Sequence, residues 1–463
     1  MIFWKKPEPP KKTASMFILG VCAFGREPSA AMLKDNELIF EASEASLTGK
    51  EEQGSFPVNA VTEALAKASE EEGSVIGIKD LKAVAFYEKP LLKYGRFLET
   101  WLANAPGGIK YFMASAGQAL LAKRASGGLL KKELAAVSWG EEAQLTLYPE
   151  FLLSSAASAF YLSPFEDAAV LVLDGPGEWG SAAIALGSGE KIKILKEIRF
   201  PDSPDLLCSA LAGFAGLDQA AELFNSGAVP VPPPAKDYAG LIKSELAELR
   251  EDGSLKLNTK YFVPAAGMAP DYAAWTALFG LPPGAPGRRT QQHGAFAAAA
   301  RQVMEEAFFN LAAQAKRLTG SKNLCLAGES PLNLAARGKL KASGIFSGNW
   351  ARPPAPAAGR AAGAALSARY IYFGARRVAP KTAPGAAEPP PAAPGQGSAP
   401  RKQGLPDFLR LYFKFYFTIA APAMLRRLKG ETGPLNFGEP ASGTSFYATR
   451  NHIYTREDLQ SPD

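Results

Sequence analysis

The sequence predicts a mixed α/β protein of two lobes, and three observations predict it. Short apolar runs broken by turns fill residues 16–45, a helix and a returning strand follow, and the same succession begins again at Asp167. The 463 residues are 47% hydrophobic, 21% charged and 10% aromatic, close to a globular average, which excludes a fibrous or wholly disordered chain. The net charge of +6 is too slight to call for nucleic acid, and none is expected as a partner. Three cysteines, Cys22, Cys208 and Cys325, stand far apart with no CxxC pair; they argue against a zinc site and fit a reducing compartment. His293 and His452 are the only histidines, so a site needing a histidine pair would have to bring these two together across the fold.

Residues 1–15, rich in lysine and proline, read as a disordered leader and not as a signal peptide. Phe17-Ile-Leu-Gly-Val-Cys-Ala, Ala30-Ala-Met-Leu and Glu37-Leu-Ile-Phe-Glu read as strands, the last after the turn Lys34-Asp-Asn. Val58, Val61, Leu65 and Ala68 predict a helix from Pro57 to about Glu72, and Ala83-Val-Ala-Phe-Tyr returns as a strand. A mostly helical insertion fills about 90–135, and Ser154 to Phe160 reads as a short helix of small residues. This first lobe spans 16–165. The second, 166–373, opens on the strand Ala168–Leu173 ending in Asp174-Gly, then a hairpin turning at Gly187-Ser-Gly. Helices are expected at about 204–214 and 292–316, the strand Asn323–Ala327 leads into another helix, and Ala358–Tyr372 forms a last helix of small residues.

Residues 374–403 hold Pro, Ala and Gly with almost no large apolar residue, the composition of a disordered linker. The 404–463 segment carries Asp407-Phe-Leu-Arg-Leu-Tyr-Phe-Lys-Phe-Tyr-Phe-Thr, an amphipathic helix with Asp407, Arg410, Lys414 and Thr418 on one stripe. Nothing supplies the ~20 apolar residues of a membrane span. The expected location is cytoplasmic. The 404–429 helix could dock on its own domain, on a partner protein or on a membrane surface.

Four segments carry a family resemblance: Ala83-Val-Ala-Phe-Tyr-Glu-Lys-Pro-Leu-Leu-Lys, Ser154-Ser-Ala-Ala-Ser-Ala-Phe, Asp174-Gly-Pro-Gly-Glu-Trp and Cys325-Leu-Ala-Gly. In this order they resemble the O-carbamoyltransferases of nodulation-factor and antibiotic biosynthesis, over roughly residues 16–372. The resemblance implies an actin-like (ASKHA) fold of two ribonuclease-H-like lobes around a nucleotide cleft. It also implies carbamoyl phosphate and ATP as substrates, a carbamoyl-adenylate intermediate, a hydroxyl acceptor and an assisting metal.

The same resemblance exposes departures. The family motif His-His-x-Ser-His-Ala-Ala-Ser-Ala-Phe, whose first and last histidines lie nearest the metal, falls on Phe151-Leu152-Leu153-Ser154-Ser155-Ala-Ala-Ser-Ala-Phe160. The metal-binding aspartate of the family falls on Ala357 or, with the local Pro-Ala-Ala-Gly matched, on Arg360. Phe151, Leu152 and Ser155 are therefore degenerate catalytic positions, and Phe151, Ser155 and Ala357 or Arg360 are lost ligand positions, so no metal is expected. The family's Glu-Glu-Arg-Phe-Thr-Arg-x-Lys-His reads Glu44-Ala45-Ser46-Leu47-Thr48-Gly49-Lys50-Glu51-Glu52, with its phosphate-holding arginines gone. Gly25-Arg26-Glu27, Glu222–Pro234 and Gly328-Glu329 depart as well. Active relatives continue into a second, adenylate-forming domain, whereas about 60 residues follow the linker here.

These observations predict a pseudoenzyme of the carbamoyltransferase family, acting as scaffold or regulatory subunit beside an active carbamoyltransferase paralogue, with no cofactor. One alternative is a divergent O-carbamoyltransferase using a separate adenylating partner. Another is a nucleotide-binding sensor that keeps ATP at a vestigial site of Asp174, Gly175, Gly177, Glu178 and Gly328, where glycine lets backbone approach a phosphate. Cys325 is expected to be an inert core residue, His293 a surface or cap residue, and Asn333 a helix start or a remnant of substrate recognition.

Overall fold

A computed structural model describes residues 15–25, 27–50, 54–104, 128–138, 140–225, 236–264, 267–328, 330, 339–351, 358–377 and 447–460. Arg26, Glu51, Glu52, Glu329, Asn333, Ala357, the linker from residue 378 on and the 404–429 segment lie outside the described residues.

The first sheet contains β1 (Phe17–Cys22), β2 (Ser29–Lys34), β3 (Glu37–Ser43), β4 (Ala83–Phe86) and β5 (Thr146–Leu147), in the order β3-β2-β1-β4-β5. β1 to β3 form an antiparallel meander, and β4 and β5 continue in parallel. The second lobe opens with β6 (Asp167–Leu173), β7 (Gly180–Ser188) and β8 (Lys191–Arg199), again an antiparallel meander. Two small hairpins follow, β9 (Ala247–Leu249) with β10 (Leu255–Leu257) and β11 (Phe262–Val263) with β12 (Ala269–Pro270). Then β13 (Asn323–Ala327) pairs in parallel with β6, and β14 (Gly348–Ala351) in parallel with β13. Each lobe thus runs meander first, then two parallel strands on the free side of its own first strand. That order, repeated twice, is the pair of ribonuclease-H-like lobes of an actin-like fold, as the sequence predicted. The reason is visible in the strands: β1, β4 and β6 are buried almost throughout and read as unbroken apolar runs, whereas β3 is half-buried along its length and β8 mixes buried with more exposed positions.

The Phe151–Phe160 helix is buried at all ten positions. Against it packs the Ala358–Ser367 helix, which also covers β1 and β2. Small residues permit this close approach. A Cβ built on Gly363 would stand 1.8 Å from the Ser154 carbonyl oxygen, and one on Gly20 of β1 would stand 1.9 Å from that of Ala361. So the last helix of the expected second lobe belongs, by packing, to the core of the first. Gly363→Ala is expected to cost about 3 kcal/mol or more, since backbone and not a mobile side chain must yield; urea unfolding of the full chain measures it.

Two features were not foreseen. Arg377, placed in the linker by composition, is buried and caps the end of the Phe151–Phe160 helix, donating from Nη2 to the carbonyls of Phe160 at 2.7 Å and Ser163 at 2.9 Å. Residues of the 404–463 tail also return as β15 (Tyr447–Ile453), an antiparallel edge strand on β8. Beyond it Tyr454 and Leu459 are buried in the first-lobe core, the Tyr454 hydroxyl donating to Glu150 at 3.1 Å. The tail therefore touches both lobes. Among the described residues no helix is long and apolar enough to cross a membrane.

Candidate functional site

Three chain segments come together where the lobes meet around Asp174. The Phe151–Phe160 helix starts after β5, the turn after β6 carries Asp174-Gly-Pro-Gly-Glu178, and the Ala358–Ser367 helix brings Arg360 in its first turn. β6 delivers Asp174 because its six apolar residues are buried and its pairing with β7 ends there, Asp174 N–H donating to the Ser181 carbonyl at 3.1 Å.

Asp174 is 2% exposed and fully engaged. Arg360 Nη2 donates to Oδ1 at 2.9 Å and Nε to Oδ2 at 3.4 Å. Ser155 Oγ donates to Oδ2 at 3.1 Å, and Gly175 N–H to Oδ1 at 2.9 Å. The Arg360 guanidinium also lies over the Phe151 ring, 4.9 Å from its centroid, a cation–π contact. Of the three positions that the sequence reading singled out separately, Ser155 and Arg360 thus meet on one carboxylate, and Phe151 lies under the guanidinium. Leu152 does not join them; its side chain packs beneath Gly180.

Glu178 faces the other side of the turn. Its Oε1 accepts the backbone N–H of Lys89 at 2.7 Å and of Phe151 at 2.9 Å, so one carboxylate ties both lobes by backbone. Burial, then the nearby Glu150 and Glu88, push its carboxyl up to about 8, against the pull of those two N–H groups. A carboxyl raised in the folded state above its unfolded value binds more protons folded than unfolded between the two values. Stability from this group therefore falls as pH rises from about 4.5 toward 8. Glu178→Gln is expected to flatten that slope and to gain most near pH 8, measured as Tm between pH 5 and pH 8.5.

The glycines of the proposed nucleotide turn have packing reasons to be glycine. A Cβ on Gly177 would stand 2.4 Å from the Phe151 ring, and one on Gly328 (φ +88°) would stand 2.1 Å from the Leu173 carbonyl. Gly175 has more room, its nearest neighbour being Asp205 at 3.6 Å. Of the altered 44–52 stretch, Glu44 caps the Val58–Glu72 helix, accepting the N–H of Asn59 at 3.1 Å and of Ala60 at 2.9 Å. Sequence reasoning missed this because the helix opens on Pro57, with its cap thirteen residues upstream. His293 is a buried cap, Nδ1 on Thr290 and Nε2 on the Pro282 carbonyl, while His452 pairs with Asp458 at 3.1 Å. The two histidines serve different partners. Cys325 is buried in β13 and burial pushes its thiol up to about 12, the state of a core residue and not of a nucleophile.

The donors at Asp174 do not fit a metal ion. An aromatic ring offers no lone pair, the neutral Ser155 hydroxyl is a weak ligand, and a guanidinium already neutralises the carboxylate. Among the described residues no group of three or more His, Cys, Asp or Glu is placed to share an ion.

The profile of the carbamoyltransferase N-terminus matches residues 17–366. The chain is similar to the uncharacterized protein sll1178 of Synechocystis sp., 36% identical over 79% of this chain and 58% of that one. It is similar to the nodulation protein NolNO of Sinorhizobium fredii, 26% identical over 74% and 46%. Among solved structures it is similar to (R)-2-hydroxyglutaryl-CoA dehydratase component A of Acidaminococcus fermentans, 14% identical over 77% of this chain and 98% of that one, TM-score 0.35. The chain spans about half the length of the curated relatives it matches. With three quarters of its residues inside that profile, the chain belongs to the carbamoyltransferase family, through the part its relatives carry at their N-terminus.

Proposed function

We propose that this protein is a pseudoenzyme of its family, a carbamoyltransferase scaffold that does not transfer carbamoyl groups and serves as a regulatory or assembly subunit beside an active relative. One observation carries the reading: the positions that match the family's metal ligands hold Phe151, Ser155 and Ala357 or Arg360, and Arg360 closes on Asp174 as a neutralised, desolvated pair, with Ser155 donating to the same carboxylate and Phe151 under the guanidinium. Metal-assisted carbamoyl transfer needs a polarising cation with open coordination beside the reacting oxygen. Here the positive charge is covalently part of the chain, and its donors point at a carboxylate.

The test supplies the purified full chain with carbamoyl phosphate, ATP, iron or zinc, and simple hydroxyl acceptors, with an active relative as positive control. The expected result is no AMP or pyrophosphate above background and no carbamoylated product. Turnover with any acceptor overturns the reading. Co-purification of an active carbamoyltransferase with the tagged chain supports the subunit role, and its absence from the source cells would remove it.

A further inference from the structure

Arg96 stands apart from the Asp174 cluster and is not used by it. It lies on the Pro90–Ala103 helix of the first lobe and is 5% exposed. Two rings hold its guanidinium, Phe97 from its own helix and Phe200 from the end of β8 in the second lobe, both 4.8 Å from their centroids. Its Nε is buried without a hydrogen-bond partner. Glu88 and Glu178 act on it through space, but each is committed elsewhere: Glu88 to Lys93 at 2.9 Å, Glu178 to the backbone of Lys89 and Phe151. Among the described residues no carboxylate forms an ion pair with Arg96. Burial lowers its pKa to about 10, so it stays charged at neutral pH.

A buried cation with an unmet donor costs stability, and a methionine of similar length would fill the same slot without that cost. A guanidinium with a ring on either contact and its Nε unmet suits planar or tetrahedral oxyanions, which take its N–H groups in pairs. We propose that Arg96, held against Phe97 and Phe200 where the lobes meet, is the anchor of a binding site for a small oxyanion, a phosphate or carboxylate group that completes its hydrogen bonds and ties the lobes together.

Thermal unfolding and calorimetry of the full chain test this with inorganic phosphate, ADP and acetate, each against chloride at equal ionic strength. The wild type is expected to gain several degrees of Tm with at least one probe. Phosphate alone acting identifies a free anion, ADP acting more strongly a nucleotide phosphate, and acetate acting a carboxylate. Arg96→Met should weaken binding of the effective probe at least tenfold while unfolding, without anion, at the wild-type temperature or above. Arg96→Lys should keep part of the response. The proposal is overturned if no probe stabilises the wild type, if Arg96→Met responds equally, or if that variant unfolds lower than wild type in chloride alone, the behaviour of a purely structural arginine. Because turnover is not read, this result stands or falls separately from the pseudoenzyme reading.

Discussion

Replacing Arg360 with methionine is expected to destabilise the protein by about 3–5 kcal/mol, the cost of leaving one partner of a buried ion pair without the other. Asp174 is 2% exposed and, among the described residues, would keep the Ser155 hydroxyl and the Gly175 N–H. Arg360 also covers the Phe151 ring, so the variant retains an apolar side chain there and isolates the charge. The double variant Asp174→Asn, Arg360→Met removes both charges and should recover most of the loss, a coupling that a double-mutant cycle in urea reads directly. A single-variant cost below about 1 kcal/mol would mean that the pair is solvated and weak.

The second large effect is a gain. The triple variant Phe151→His, Ser155→His, Arg360→Asp places two imidazoles one helical turn apart and a carboxylate opposite, beside Asp174. Without metal it should be less stable than wild type, because two carboxylates then share one buried site. With iron or zinc it should hold close to one equivalent and regain stability by about 4 kcal/mol at a thousandfold excess over Kd. Metal content after desalting and Tm with and without chelator measure both. A triple variant that folds but takes up no metal would show that the three positions do not form a common site.

Much of the fold was legible because its strands are strongly patterned. The Val58–Glu72, Pro204–Phe214 and Gln291–Thr319 helices follow from apolar spacing with an N-terminal proline or a glycine stop, and the repeated meander follows from two apolar runs separated by turns. What could not be read was pairing at a distance. β15 joins β8 from more than two hundred residues away, and its residues carry no apolar alternation to announce a strand. Arg377 sits among Pro, Ala and Gly, and only the packed fold reveals the helix end it caps. At the site, Phe151, Ser155 and the pair of candidates Ala357 or Arg360 were identifiable by their place in family motifs, but not the closure of Ser155 and Arg360 on Asp174. The rescue of charge by charge is invisible where the partners are 186 residues apart. Arg96 had no sequence signal of its own beyond an ordinary amphipathic helix; its isolation depends on Phe200 arriving from the other lobe.

The most direct test is the metal content of the wild-type chain, purified without chelator from cells grown with ample iron and zinc. If the Arg360 guanidinium takes the place of the bound cation, the protein will carry far less than one equivalent of any transition metal, and EDTA will leave its Tm unchanged. One tightly held iron or zinc per chain, whose removal lowers Tm, would contradict that claim.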